Sequence, residues 1–181
     1  MQGGLFREPA LILLVFAAGF AWTVFGALLA PSLDQARAVY SIWPALLLGG
    51  IAAERFLRMG PWLEGTGWLG WWAAGLLAYV IHLGFGYGVV FGFSFGAALE
   101  SQGTLTVTLN FALLAAWALS VAAACVPKEP RWERALHALA TLLLIVTALG
   151  STLRLGVNPV SNALGAGLLV LWLHALWRRY V

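Results

Sequence analysis

Long apolar segments separated by short polar or charged segments make up almost the whole chain. Six of these segments reach the length of about 20 residues that a helix needs to cross a hydrocarbon core roughly 30 Å thick. Their approximate limits are 9–30, 32–55, 67–100, 104–125, 132–153 and 158–179. The pattern predicts an all-α, polytopic membrane protein with six transmembrane helices, forming one helical-bundle domain over residues 1–181.

Proline and capping residues mark several predicted helix ends. Residues 32–35 resemble a capping box that opens the second helix. Pro44 inside that helix predicts a kink, because its ring displaces the hydrogen bond to the carbonyl of Tyr40. Asn158 and Pro159 together form a cap that opens the last helix.

The third segment, residues 67–100, holds His82 and four glycines spaced four residues apart. These glycines are Gly84, Gly88, Gly92 and Gly96. On a helix this spacing gives a stripe of small residues that allows another helix to approach closely. A helix of 34 residues would span roughly 50 Å, so the segment must tilt, break or continue outside the bilayer. We expect residues 91–100 to be helical, with an extended or re-entrant piece as the alternative.

Basic residues are distributed unevenly between the two sides of this topology. If both termini are cytoplasmic, eight basic residues lie inside and two lie outside. The inside residues are Arg7, Arg55, Arg58, Lys128, Arg131, Arg134, Arg178 and Arg179; the outside residues are Arg37 and Arg154. Cytoplasmic loops are enriched in Lys and Arg, so we predict that both termini are cytoplasmic, in a bacterial inner membrane.

Composition supports the membrane assignment and excludes several kinds of site. The chain is 62% hydrophobic and only 9% charged, whereas soluble domains average about 25% charged residues. The net charge of +3 is small and spread out, so nucleic acid is not an expected partner. Cys125 is the only cysteine, which excludes an intrachain disulfide and a cysteine metal cluster.

Polar residues within the spans gather near the predicted outer side. Polar groups in a bilayer must be paired or hydrated, so this concentration predicts a wet vestibule or docking surface; helix caps and loops are the alternative. The candidate ligand-binding residues are Tyr79, His82, Glu100, Asn110, Arg154 and Asn162. The alternative for His82 is a structural hydrogen bond to another helix, and that for Glu100 and Arg154 is an ion pair between helix ends.

Two further histidines lie near the predicted inner face. His137 and His174 fall at similar depth on helices joined by a short loop. Two such histidines are candidates for holding a b-type haem, or a metal if their side chains converge. Trp132, Trp172 and Trp177 lie at the same level, where interfacial histidines are ordinary.

No catalytic motif occurs in the chain: a G-x-S-x-G elbow, an H-E-x-x-H pair and a phosphate loop are all missing. A catalytic set assembled from separate helices, such as His82, Glu100 and Arg154, would escape this search. We expect a chain that is not an enzyme by itself.

Three functions are compatible with these features. The first is a non-catalytic subunit that packs through glycine-rich and aromatic helix faces against other membrane subunits. The second is an outward-facing component that binds or transports a small molecule. The third is a haem b-bearing redox subunit, and the lipid bilayer is a partner in all three.

The plan of six helices in 19.4 kDa, with cytoplasmic termini and a polar outer end, resembles the substrate-binding components of vitamin uptake systems. Ala17 and Ala21 give the small-residue spacing with which such components dock a partner. The resemblance implies small-molecule binding and transfers no binding residues.

Overall fold

The computed structural model of the chain describes residues 7–28, 38–59, 67–125, 130–154 and 159–181. These residues form seven α-helices and two π-helical segments, and none of them lies in a strand. The α-helices are α1 (Arg7–Leu28), α2 (Ile42–Met59), α3 (Trp68–Leu83), α4 (Phe95–Gln102), α5 (Thr104–Ala124), α6 (Pro130–Leu149) and α7 (Pro159–Tyr180). The π-helical segments are π1 (Gly84–Val90), after α3, and π2 (Gly150–Arg154), after α6. The predicted all-α fold is confirmed for the described residues.

Among the described residues, five helical stretches are long and apolar enough to cross a membrane, which identifies the chain as an integral membrane protein. They are Glu8–Leu28, Trp68–Val90, Thr104–Ala124, Trp132–Leu153 and Pro159–Tyr180. Each corresponds to one predicted span. Helix α2 is not among them, because its 18 residues include Glu54, Arg55 and Arg58.

Helix α2 forms the centre of the bundle. Nine of its 18 residues are buried, and it packs against α1, α3, α6 and α7. The chain is helical at residues 38–40 and, after a turn at Ser41, again from Ile42, so Pro44 lies in the first turn of α2. Pro44 has no N–H to donate to the Tyr40 carbonyl, and that carbonyl accepts a hydrogen bond from the Thr23 hydroxyl at 3.0 Å instead. The predicted loss of the hydrogen bond between Pro44 and the Tyr40 carbonyl therefore coincides with a break in the helix at Ser41. The capping box at 32–35 lies outside the described residues.

Side-chain contacts fix the relative directions of the helices. Glu8 of α1 contacts Arg55 near the end of α2, so these two helices are antiparallel. Pairs along α3 and α5, and along α5 and α6, give the same antiparallel arrangement. Helices α2 and α7 run parallel, since Trp43 contacts Ser161 and Leu57 contacts Arg179. Successive long helices therefore alternate in direction.

This alternation separates the charged residues of the described helices into two groups. Those on α1, α2, α6 and α7 lie at one end of the bundle, which we call the arginine end: Glu8, Glu54, Arg55, Arg58, Glu133, Arg134, Arg178 and Arg179. Glu100 and the backbone of Arg154 lie toward the opposite end.

Tryptophan and glycine side by side build the core where α2, α3 and α5 meet. A Cβ at Gly75 would lie 2.8 Å from the backbone nitrogen of Gly49 and 2.8 Å from the Trp117 ring. Only glycine at both positions allows this approach. Trp68 and Trp72 are also buried inside the bundle. These indole rings therefore pack against other residues of this chain.

The third predicted segment is broken rather than continuous. After π1, a turn at residues 91–94 places Gly92 (φ +55°) and Phe93 (φ +58°) in the left-handed region. The Ser94 hydroxyl then accepts a hydrogen bond from the Ala97 N–H at 3.2 Å and starts α4. Gly103 (φ +79°) ends α4 and allows the chain to return as α5. Residues 95–100 are thus helical, as expected, and residues 91–94 are not.

Candidate functional site

A column of aromatic rings runs through the bundle interior, with a histidine at each end. From His82 the ring centroids lie 5.9 Å to Tyr79, 5.8 Å on to Trp117 and 4.5 Å on to Trp72. Beyond Trp72, Trp68 follows at 5.8 Å and His137 lies 4.5 Å from Trp68 in an edge-on arrangement. Offset and edge-on contacts at these separations add to the free energy of burial. The column holds α3, α5 and α6 together.

Nearest the arginine end, the column carries a chain of hydrogen bonds. The Trp72 Nε1–H donates to Ser120 Oγ at 2.8 Å, and Ser120 Oγ lies 2.6 Å from His137 Nδ1. His137 Nε2 lies 3.3 Å from a carboxylate oxygen of Glu133, one helical turn earlier. Trp72, Ser120 and His137 are buried, while the Glu133 side chain is 34% exposed. The chain therefore connects the core with the surface of the bundle.

The residues at the two ends of this series of hydrogen bonds, Trp72 and Glu133, determine the direction of each bond. An indole can only donate and an ionised carboxylate can only accept. If Glu133 accepts a hydrogen bond from Nε2–H, a neutral His137 carries its proton on Nε2. Its Nδ1 then accepts a hydrogen bond from the Ser120 hydroxyl. The Ser120 oxygen then accepts from Trp72, so every polar group has a partner. We call Trp72, Ser120, His137 and Glu133 the relay.

At the opposite end, a second polar cluster joins three elements. The Tyr79 hydroxyl on α3 lies 3.1 Å from the carbonyl oxygen and 3.3 Å from the side-chain oxygen of Asn110 on α5. The Ser41 hydroxyl, just before α2, lies 3.2 Å from His82 Nδ1. The hydrogen bonds form two pairs, Tyr79 with Asn110 and Ser41 with His82, and the Tyr79 and His82 rings contact each other between them. The Ser41 hydroxyl also lies 3.2 Å from the Ala38 carbonyl oxygen. His82 thus has a hydrogen-bond partner from another element, and ligand binding at this cluster stays a prediction.

Of the six predicted ligand-binding residues, the structure brings three together: Tyr79, His82 and Asn110. Glu100 is exposed on α4, and Asn162 is exposed on α7. Arg154 ends π2, and its side chain lies outside the described part of the chain. The predicted ion pair between Glu100 and Arg154 therefore stays a prediction.

The two histidines proposed for haem or metal have different surroundings. Both ring nitrogens of His137 are engaged, by Ser120 and Glu133. His174 is exposed and packs against Trp177 with ring centroids 5.8 Å apart. As placed, His137 offers no nitrogen to an iron atom, so the arrangement does not favour haem. Among the described residues, no group of three His, Cys, Asp or Glu side chains could hold a metal ion.

The four predicted packing glycines do not share one helix. Gly84 and Gly88 lie in π1, Gly92 lies in the turn, and Gly96 lies in α4. Within the described chain no helix covers them: a Cβ at Gly84 or Gly92 would have nothing within 4 Å. At Gly88 the nearest atoms to a Cβ would be those of the Phe93 ring, 2.9 Å away. We call residues 84–96 the glycine segment; whether another polypeptide packs against it stays a prediction.

Sequence reasoning missed two residues that organise the site. Ser120 lies in an apolar helix without a recognisable motif, and only its predicted depth, matching that of His137, could have pointed to it. Ser41 lies at a turn between two helical stretches and gave no signal of its contact with His82. Glu133 and His137, four residues apart, were visible as neighbours on one helix face.

The arginine end also contains an ion pair that the sequence did not predict. Arg55 donates to both carboxylate oxygens of Glu8, at 2.7 and 3.1 Å, and its guanidinium lies 5.4 Å from the Trp71 ring centroid. The same carboxylate lies against Gly67 at the N-terminus of α3, where a Cβ would overlap a Glu8 oxygen. This contact ties the start of α1 to α2 and α3.

Comparison with known proteins gives no relative: no family model, no curated protein and no solved structure matches this chain.

Proposed function

We propose that this chain is a non-catalytic subunit of a larger membrane complex and that the glycine segment docks another membrane polypeptide. The proposal includes six membrane crossings, with α2 as the sixth, and an arginine end that faces the cytoplasm. The parallel course of α2 beside α7 and the collection of arginines at one end support this topology.

The observation that carries the proposal is the combination of strain and exposure in the glycine segment. A seven-residue π-helix is rare, and Phe93 holds a left-handed backbone conformation that costs a non-glycine residue about 1–2 kcal/mol. Phe93 is 72% exposed and Phe95 is 50% exposed, beside glycines that none of the described helices covers. Strained backbone persists where function requires it, and an uncovered glycine surface suits a close helix contact.

The test is co-purification from the native membrane in mild detergent, comparing two glycine variants. Gly84→Leu adds bulk where the chain leaves open space, so the fold should survive while a docked partner is displaced. Gly167→Leu on α7 is the matched control, since a Cβ there also has nothing within 4 Å. We expect a stoichiometric partner with the parent and with Gly167→Leu, and its loss with Gly84→Leu. A stable, lone parent chain, or equal retention by both variants, would overturn the proposal.

A second candidate function is outward-facing binding or transport of a small molecule. Four polar residues from three elements converge toward the end opposite the arginines, which supports this candidate: Ser41, Tyr79, His82 and Asn110. The test is the melting temperature in the presence of a panel of vitamins and amino acids. A compound that stabilises the parent and the exposed-site variant Asn162→Ala, but not His82→Ala, would support binding at the cluster. Equal stabilisation of all three would place the ligand elsewhere.

A further inference from the structure

The ends of α2 and α7 lie side by side at the arginine end. Nη1 of Arg179 lies 3.5 Å from the carbonyl oxygen of Leu57. Arg58, Arg178 and Arg179 are all exposed there. Trp177 and Tyr180, exposed by 58% and 80%, lie among them, as is typical of aromatic residues at a headgroup interface.

Positive charge at this place is in excess. Glu8 pairs with Arg55, Glu54 pairs with the Nε of Arg58, and Glu133 contacts His137. No carboxylate of the described residues lies within 4 Å of Arg178 or Arg179. The guanidinium groups of Arg178 and Arg179 can therefore donate hydrogen bonds to a phosphate, and the planar group of N–H donors in each suits two phosphate oxygens at once.

An apolar path leads from these arginines along the side of the bundle. Leu164, Leu171 and Arg178 recur every seven residues, close to two helical turns, so they share one face of α7. Leu164 also lines an apolar groove of about 360 Å³ between α1, α2 and α7. On α2, Leu47 lines the same groove and lies close to three turns before Arg58. From Arg178 to Leu164 the distance along α7 is about 21 Å. One leaflet of the hydrocarbon core is about 15 Å thick, so an extended acyl chain on this face would pass the bilayer midplane.

We propose that this face binds one anionic phospholipid, which is held by its phosphate at Arg178 and Arg179. Arg58 contributes a third guanidinium, and one acyl chain lies along Leu171 and Leu164 toward the groove. Both halves of a phospholipid are matched: guanidinium groups at the interface for the phosphate, and an apolar face of α7 that leads to a groove in the opposite half of the bundle for an acyl chain. The site is independent of the proposed docking surface, because the glycine segment lies at the other end of the bundle.

The test is native mass spectrometry of the full chain released from bilayers of equal phosphatidylglycerol and phosphatidylcholine content. We expect one phosphatidylglycerol retained per chain in preference to phosphatidylcholine. Arg178→Gln should lower that preference about fivefold, and Arg178→Gln with Arg179→Gln should abolish it. Arg134→Gln, which removes one charge at the same end on α6, is the matched control and should leave the preference unchanged.

Three outcomes would overturn the proposal. They are equal retention of the two lipids by the parent chain, an equal loss of preference in Arg134→Gln and Arg178→Gln, and displacement of the lipid by inorganic phosphate alone. The last result would assign the arginines to a free anion instead of a lipid. An unchanged melting temperature of Arg178→Gln in detergent establishes that the fold is intact, as expected for an exposed residue.

Discussion

Replacing Ser120 by alanine tests whether the relay stabilises the bundle. The substitution removes the partner of the Trp72 indole at 2.8 Å and of His137 Nδ1 at 2.6 Å. Both groups are almost fully buried, so neither reaches water after the change. A buried polar group left without a partner costs about 1–3 kcal/mol in soluble proteins, while hydrogen bonds between membrane helices average about 0.6 kcal/mol. Two orphaned groups give an expected loss of about 2 kcal/mol.

The assay is reversible unfolding in mixed micelles, with the free energy of unfolding measured against the mole fraction of denaturing detergent. Ser151→Ala is the matched control, because the Ser151 hydroxyl donates only to the Ala148 carbonyl of its own helix. We expect the control to lose less than about 0.5 kcal/mol. A loss for Ser120→Ala no larger than that for Ser151→Ala would refute the reasoning.

The double variant with Trp72→Phe separates the hydrogen bond from general damage to the core. Trp72 and Ser120 are in direct contact, so their substitutions should not be additive. Once Ser120 is alanine, Trp72→Phe should cost at least about 0.5 kcal/mol less than it does in the parent chain. Additive costs would show that the Trp72 indole does not depend on the hydroxyl.

Three glycine substitutions give further predictions, each tested by the melting temperature of the variant in one detergent. Gly75→Ala should lower the free energy of unfolding by about 1–3 kcal/mol, because its methyl would press on the backbone of Gly49; Gly84→Ala, where space is open, should be neutral or stabilising. Gly67→Ala should cost about 1–2 kcal/mol for its left-handed backbone (φ +64°) alone, and more for overlap with the Glu8 carboxylate. Parent-like melting of Gly75→Ala or Gly67→Ala would contradict the close approach at that position.

The separation of arginines illustrates what could be read from the sequence. Arg55, Arg58, Arg134, Arg178 and Arg179 were assigned to one side from the alternation of spans alone, and the helix contacts bring their helix ends to one end of the bundle. The assignment needed only helix length and direction. Which membrane face that end meets stays a prediction.

The tryptophans show where sequence reasoning was insufficient. An indole at a helix start suits both a headgroup interface and a helix contact, because it is apolar with one donor. Trp72 is buried because Gly49 and Gly75 allow α2 and α3 to approach, while Ser120 accepts its N–H. No pattern along α3 contains that information.

The sequence by itself determined the apolar spans, the bundle end at which the arginines gather, and the fact that the third segment is too long for one straight crossing. These features depend on hydrocarbon thickness, helix rise and charge, which act on each segment separately. Tertiary structure alone decided that α2 is central, that Ser120 joins Trp72 to His137, and that the glycine segment is left uncovered. These outcomes depend on which side chains meet across helices, since a buried polar group takes its partner from whichever neighbour the packing brings within hydrogen-bonding distance.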